Sequence, residues 1–187
     1  MSKATWTFDT QHASIGFNVR HMMIAKVHGR FSKWSGTFDF NESDPAASAA
    51  EVRIDVASID TNEPARDAHL RSPDFFDVEH FPEMTFRSTK IEKAGNDYRV
   101  TGDLTIRGVT RPVVLDAEYA GSVKDVYGNT RAGFSARTSI DRKEFGLTWN
   151  AILEAGGLAV SDKVEIVIEF EAVKSGVTAP VPEMAVA

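Results

Sequence analysis

Residues 98–119, YRVTGDLTIRGVTRPVVLDAEY, carry the pattern that decides the fold. Up to Ile106, apolar or small side chains occupy every second position and polar side chains lie between them. After a turn at Gly108-Val109-Thr110 the alternation resumes at Val113 and runs to Tyr119. Successive side chains of a strand point to opposite faces of a sheet. This stretch therefore predicts two antiparallel strands with one dry face and one wet face.

The same alternation recurs on both sides of this hairpin. Further inward sets are Ile15, Phe17, Val19 and His21; Val52, Ile54 and Val56; Ala132, Phe134, Ala136, Thr138 and Ile140; and Val164, Ile166, Ile168 and Phe170. Turn residues at 94–97 and 127–129 separate neighbouring runs. Between Phe31 and Trp34 the apolar parity shifts, which predicts an inserted residue near Ser32-Lys33.

One segment departs from the strand pattern. Residues 62–71, NEPARDAHLR, begin with the capping residue Asn62, place Pro64 in the first turn and continue with helix formers. They predict one short helix. We expect a single domain over residues 1–174, followed by a flexible C-terminal tail over 175–187 that contains two prolines.

About eight antiparallel strands can form either a sandwich or a closed barrel, and periodicity alone does not choose between them. The chain has consecutive hairpins but lacks the cysteine and tryptophan pattern of an immunoglobulin domain. These features favour an all-β fold, an up-and-down antiparallel β-barrel with one short helix.

Composition excludes several classes of partner. The net charge is −6 and no basic run is present, so nucleic acid is not an expected partner. The chain has no cysteine, and no stretch approaches the roughly 18 consecutive apolar residues of a membrane span. Because the N-terminus opens into strand-like sequence without an apolar signal core, we expect a cytoplasmic location.

The sequence predicts no catalytic residues, no metal and no cofactor. The five histidines (His12, His21, His28, His69 and His80) lack the spacing of metal ligands. No serine lies in a nucleophile elbow, and the glycines form no phosphate-binding loop. The charged run 141–144 is interpreted as a solvated turn.

The predicted interior contains both large and small side chains. Candidate ligand-binding residues, each on the inward parity of its own strand, are Phe17, Val19, Phe38, Ile54, Phe86, Leu104, Leu115, Phe134 and Ile168. His21 continues one inward face and is predicted to offer a polar contact to a ligand head group near one end. Small residues on inward positions are Gly36, Gly102, Ala117, Ala132 and Ala136. They fit a cavity, and they also fit a tapered solid core.

Several blocks, taken together, resemble the YceI family of polyisoprenoid-binding proteins. They are Asp9-x-x-His12-x-x-Ile15-x-Phe17-x-Val19-x-His21; residues 57–61, ASIDT; residues 66–77, RDAHLRSPDFFD; residues 102–113, GDLTIRGVTRPV; and residues 141–146, DRKEFG. The similarity runs from about Ala4 to Lys174 in sequence order.

The resemblance implies a lipocalin-like barrel closed around an isoprenoid chain, with the helix capping one end and no catalytic residues. The leading hypothesis is thus a non-enzymatic binding or transport protein for a polyprenyl or quinone lipid. Two alternatives stay open: an enzyme that acts on such a lipid, and a solid barrel whose loops bind a protein partner. The sequence is compatible with a homodimer.

Overall fold

The computed structural model describes residues 4–154 and 156–175. The strands are β1 (Ala4–His21), β2 (Ala25–Phe31), β3 (Trp34–Phe40), β4 (Ala49–Asp55), β5 (Ile59–Asp60), β6 (Glu83–Ala94), β7 (Asp97–Ile106), β8 (Val109–Lys124), β9 (Thr130–Asp141) and β10 (Val160–Lys174). One helix, α1, covers Pro64–Arg71, and short 3-10 helices cover Pro45–Ala47, Val56–Ser58 and Arg142–Phe145. Apart from Ser175, the predicted C-terminal tail lies outside the described residues.

Eight of the strands close a ring. Its order is β1, β3, β4, β6, β7, β8, β9 and β10, and β10 returns to pair with β1. Neighbouring strands of the ring pair antiparallel. Their order round the ring is their order along the chain once β2 and β5, which lie outside the ring, are left out. The predicted up-and-down barrel of eight strands is confirmed. β2 lies beside the second half of β1, and β5 adds two residues at the edge of β2.

The antiparallel order gives the barrel two different ends. The start of β1, the end of β10 and the turns after β3, β6 and β8 lie at one end, called here the termini end. The β1–β2 turn, the segment 56–82 with α1, and the connection 142–159 lie at the other, called here the helix end. The longer connections, and α1 with them, therefore gather at the helix end.

The helix begins one residue later than the predicted cap at Asn62 implies. Glu63 is the N-cap, and its carboxylate accepts a hydrogen bond from the Ala65 amide. Asn62 instead adopts the left-handed conformation, with φ of 59°, and Pro64 opens the helix. Asparagine is favoured both in the left-handed conformation and as an N-cap, so its presence alone does not determine where the helix begins.

The predicted parity shift near Ser32-Lys33 is present as a break between β2 and β3. The amide of Ser32 donates to the carbonyl of Ser58 and the amide of Lys33 donates to its hydroxyl, so neither bonds to a partner in a neighbouring strand.

The turn between β7 and β8 is shorter than predicted. Arg107 and Gly108, both at positive φ, form it alone, and β8 begins at Val109.

Candidate ligand-binding cavity

The barrel encloses a cavity of about 260 Å³. Its wall is almost entirely apolar and is formed by side chains from the eight strands of the ring, from Phe31 on β2, from the segment 70–76 and from Arg142 and Leu147. An engineered cavity of about 150 Å³ with a similar lining stays dry and binds benzene. The interior of this barrel is therefore not solid, and it has room for a small apolar molecule or for a section of a longer chain.

Nine of the ten predicted site residues lie on the wall of this cavity. They are Phe17, Val19, Phe38, Ile54, Phe86, Leu104, Leu115, Phe134 and Ile168. Each comes from a strand in which the two-residue alternation is regular, so its parity carries over directly into the barrel. Their role as ligand contacts stays a prediction.

His21 does not join them. Its side chain is exposed at the end of β1 and is absent from the cavity wall. The pairing of β1 with β10 loses its regular register between Val19 and His21. The predicted place of His21 at the cavity is wrong: β1 keeps its register with β2 up to His21, but this last residue of the strand lies beyond the wall, and alternation does not tell where along a strand the cavity ends.

The small inward residues divide into two groups. Ala117 and Ala136 face each other across β8 and β9 and line the cavity. Gly102 does not add space, because the Phe86 ring lies over it: a Cβ on Gly102 would meet that ring at 2.5 Å. The open volume therefore lies beside the two alanines, while the glycine accommodates an aromatic ring.

Aromatic side chains close the termini end. Trp6, Phe38, Phe40 and Tyr98 are buried there. The Phe134 ring packs against the rings of Phe38 and Phe40, with centroids 4.9 and 5.1 Å apart, in edge-to-face geometry. Such pairs contribute about 0.5–1.5 kcal/mol beyond the burial of their area. The rigid end of the cavity is thus this aromatic cluster.

Arg142 fixes the connection between β9 and β10 at the helix end. It is only 5% exposed and forms part of the cavity wall. Its guanidinium donates hydrogen bonds to the carbonyls of Leu147, Trp149 and Ser161 at 2.6, 2.8 and 2.9 Å. Burial lowers the pKa of Arg142. The predicted solvated turn at 141–144 is wrong for this residue, and its position within a charged run gave no signal of its burial.

Two more arginines and one aspartate fasten the helix segment. Arg71 donates to the Ala57 and Ile59 carbonyls, both at 2.8 Å. Arg107 donates to carbonyls of residues 73, 75 and 146. The buried Asp67 carboxylate accepts from the amide and hydroxyl of Thr61. These bonds satisfy backbone groups in irregular connections, where no strand partner is present.

The chemistry of the wall is that of a binding site. Among the wall residues, the buried ionisable side chains are those of Arg142 and Tyr98, and burial raises the pKa of the Tyr98 phenol. Glu118 and Glu169 also border the cavity, but their side chains are exposed. The Arg142 donors are already bonded to carbonyls, so the wall offers a ligand dispersion contacts and apolar burial.

A cluster of possible metal ligands lies outside the cavity. Asp9, His12 and Glu171 bring their ligand atoms within 4.8 Å of one another. The Arg131 guanidinium already occupies this cluster, with Nη1 at 2.5 Å from Asp9 and 3.3 Å from Glu171 and Nε at 2.9 Å from Asp125. A positive charge at this point competes with a cation for the same carboxylates. The cluster is best described as an ion-pair network between β1, β9, β10 and the β8–β9 turn.

The ion-pair network around Arg131 should make the stability of the fold depend on pH in the acid range. Hydrogen bonds from Arg131 lower the pKa of Asp9 and of Asp125 from 3.8 to about 2. The unfolded chain therefore binds more protons than the folded chain below pH 3.8. The stabilisation that the network contributes is complete above that pH and is lost as the pH falls towards 2. Arg131→Gln should make the free energy of unfolding less dependent on pH in this window.

Urea denaturation at a series of acidic pH values measures this dependence. Arg111→Gln, at an exposed arginine on β8, is the matched control and should leave the slope unchanged. An equal slope for Arg131→Gln and the parent protein would contradict the assignment.

Closure of the strands around a dry interior defines the class of this protein: a lipocalin-like β-barrel with an apolar internal cavity. Residues 6–172 match the model of the YceI-like domain. The chain belongs to the YceI family. A UPF0312 protein of Photorhabdus laumondii is 48% identical over 135 residues, which cover 72% of this chain and 70% of that protein. Protein YceI of Escherichia coli is 41% identical over 164 residues, or 88% and 83% of the two chains.

Solved structures share the same barrel. Burkholderia cenocepacia BcnA superposes with a TM-score of 0.78 at 27% identity, covering 88% of this chain and 98% of that chain. A polyisoprenoid binding domain from Saccharophagus degradans gives a TM-score of 0.64, covering 92% and 99%. Because the two sequences are only 17% identical, this second match is evidence of a shared fold alone. Among the described residues, no helix is long and apolar enough to cross a membrane.

Proposed function

We propose that this protein is a non-enzymatic carrier that holds an isoprenoid-chain lipid, of the polyprenyl or quinone type, inside the barrel. The observation that carries the proposal is the apolar cavity of about 260 Å³ within a closed barrel. Membership of the YceI family and a structural neighbour described as a polyisoprenoid binding domain support it.

The energetics favour a branched apolar chain held by shape. Burying the five carbons of one isoprene unit contributes about 4 kcal/mol at roughly 0.8 kcal/mol per carbon group. Ordering the chain and associating the partners offset much of this gain. A bilayer offers the lipid a similar gain, so selection must come from the length and shape of the cavity. The fixed aromatic cluster at the termini end supplies such a boundary.

The side chains that line the cavity also support a role in binding without catalysis. General acid–base catalysis needs a titratable group within hydrogen-bond reach of the reacting atom. Of the two buried ionisable groups on this wall, Arg142 has its donors bonded to main-chain carbonyls, and burial raises the pKa of the Tyr98 phenol, so neither accepts a proton at neutral pH. The lipid should therefore leave the protein chemically unchanged. The expected absence of nucleic acid, the cytoplasmic location and the homodimer remain predictions.

Native mass spectrometry of the protein purified from its own host tests the proposal. We expect one lipid per chain, which organic extraction releases as a polyprenyl or quinone compound. A delipidated sample should regain one polyprenol or ubiquinone added from ethanol. Recovery of a chemically altered lipid would support the enzyme alternative. A protein that carries no lipid and takes up neither compound would contradict the carrier.

A further inference from the structure

The turn between β1 and β2 exposes three consecutive apolar side chains. They are Met22, Met23 and Ile24, of which Met23 is 65% and Ile24 is 85% exposed. Met22 and Met23 adopt positive φ, 51° and 62°. Asparagine and glycine are the favoured residues at such turn positions. The conformation therefore makes the two methionines unfavourable here, and the exposure makes all three apolar side chains unfavourable, for the folded chain in water.

This turn lies at the helix end, close to the cavity. The Met22 amide donates to the Ala159 carbonyl at 2.8 Å, which joins the turn to the connection before β10. Val19 and Val160, a few residues away on either side of this bond, are cavity-wall residues. The connection adds further exposed apolar side chains at Ile152 and Leu158. The apolar tip and its neighbours thus form a patch beside one end of the cavity.

Basic side chains flank the tip. Arg20 on β1 and Lys26 on β2 are cross-strand partners, and both are exposed. Like charges directly opposite each other destabilise a strand pair. Residues 20–30 include no aspartate or glutamate, although the whole chain has a net charge of −6. Glu165 has a carboxylate that interacts electrostatically with Lys26, and this carboxylate also accepts a hydrogen bond from Asn18. The tip and the strand ends that flank it, residues 20–30, therefore carry net positive charge, while the connection beside them contributes the carboxylate of Glu154.

We infer that the β1–β2 tip docks on the surface of an anionic lipid bilayer. Met22, Met23 and Ile24 enter the boundary between head groups and acyl chains, and Arg20 and Lys26 contact the anionic head groups. Apolar burial and attraction to anionic lipid together are what hold an interfacial element on a membrane. This inference rests on the proposed function, because docking here brings the helix end of the cavity to the source of an isoprenoid lipid.

The opposite end of the barrel provides a matched control. The β8–β9 turn also exposes apolar side chains, and Val126 is 92% exposed, with Tyr127 beside it. Of the two basic residues that flank that turn, Lys124 and Arg131, Arg131 is paired with Asp125. It therefore offers apolar residues beside one exposed lysine and the carboxylate of Asp125, instead of a pair of basic side chains, at the end of the barrel that the aromatic cluster closes.

Co-sedimentation with vesicles tests the inference. The parent protein should bind vesicles of equal parts phosphatidylcholine and phosphatidylglycerol, and bind phosphatidylcholine alone far less. Met23→Ser with Ile24→Ser should weaken binding at least about tenfold, because burying one such side chain is worth more than that factor. Arg20→Gln with Lys26→Gln should weaken binding to the anionic vesicles about tenfold. Val126→Ser with Tyr127→Ser should bind like the parent.

Two further measurements separate the outcomes. All variants should load a polyprenol added from ethanol, since no substituted residue lines the cavity. If the parent binds anionic vesicles but does not load the polyprenol, the proposed function fails and the docking surface stands. If the parent loads polyprenol but ignores the vesicles, or the tip variants bind them like the parent, the docking inference is overturned. A tip variant that turns a dimer into a monomer in sedimentation velocity, with vesicle binding unchanged, assigns the patch to a second copy and also overturns it.

Discussion

Replacing Ala136 with tryptophan is expected to abolish retention of an isoprenoid lipid while the barrel stays folded. Ala136 lies on the cavity wall opposite Ala117 on β8 and beside Ile168 on β10. Both alanines are short side chains on the cavity wall, so an indole ring at position 136 is expected to project into the cavity. It then occupies the space that the lipid chain needs. Leu104→Trp on β7, two strands away round the ring, should act in the same way.

Thermal unfolding and lipid retention must be measured on the same samples. Arg137→Trp is the control, because Arg137 is the next residue along β9 and its side chain is exposed. It should keep both stability and lipid. In a solid core the Ala136 and Leu104 insertions would overpack and cost about 1–3 kcal/mol. Marked destabilisation of both inward variants, with no lipid bound by the parent, would exclude the carrier and favour a solid interaction module.

The second large effect is expected at Arg142. Arg142→Met keeps an unbranched apolar stem but removes the donors that hold the carbonyls of Leu147, Trp149 and Ser161. Each buried carbonyl left without a partner costs about 1–3 kcal/mol, so we expect a loss of about 3 kcal/mol or more in the free energy of unfolding. Hydrogen exchange should quicken first in the connection 146–160.

Lys143 offers a direct comparison one residue away. Its ammonium pairs with Asp162 at 2.9 Å, but its side chain is 41% exposed. Such a pair contributes about 0–1 kcal/mol, so Lys143→Met should change the denaturation midpoint little. Equal effects at the two positions would show that the carbonyl bonds of Arg142 do not fix the connection.

Strand parity accounts for most of what the sequence predicts. Phe17, Leu104 and Ile168 each lie in the middle of a regular strand, and the alternation of the chain alone placed them inside. The prediction of a closed ring followed from the consecutive hairpins. These features depend on local repetition, which a single sequence displays directly.

The missed features depend on contacts between distant segments. His21 keeps the parity of β1, yet as the last residue of the strand it lies exposed beyond the cavity wall, and where the cavity ends depends on the elements around it. Arg142 sits in a charged run, and only the folded connection supplies the carbonyls that surround it. Phe86 over Gly102 fills a space that the small residue had suggested was open. In each case the partner comes from another element, and no pattern along the chain specifies it.

A structure of the protein loaded with one polyprenol tests the central claim most directly. The account predicts a continuous chain of density inside the barrel, in contact with Phe17, Leu104 and Ile168 and ending against the aromatic cluster at Phe38 and Phe134. The head group should lie towards the helix end. Lipid density confined to the outer surface, with the interior filled by rearranged side chains, would contradict the account.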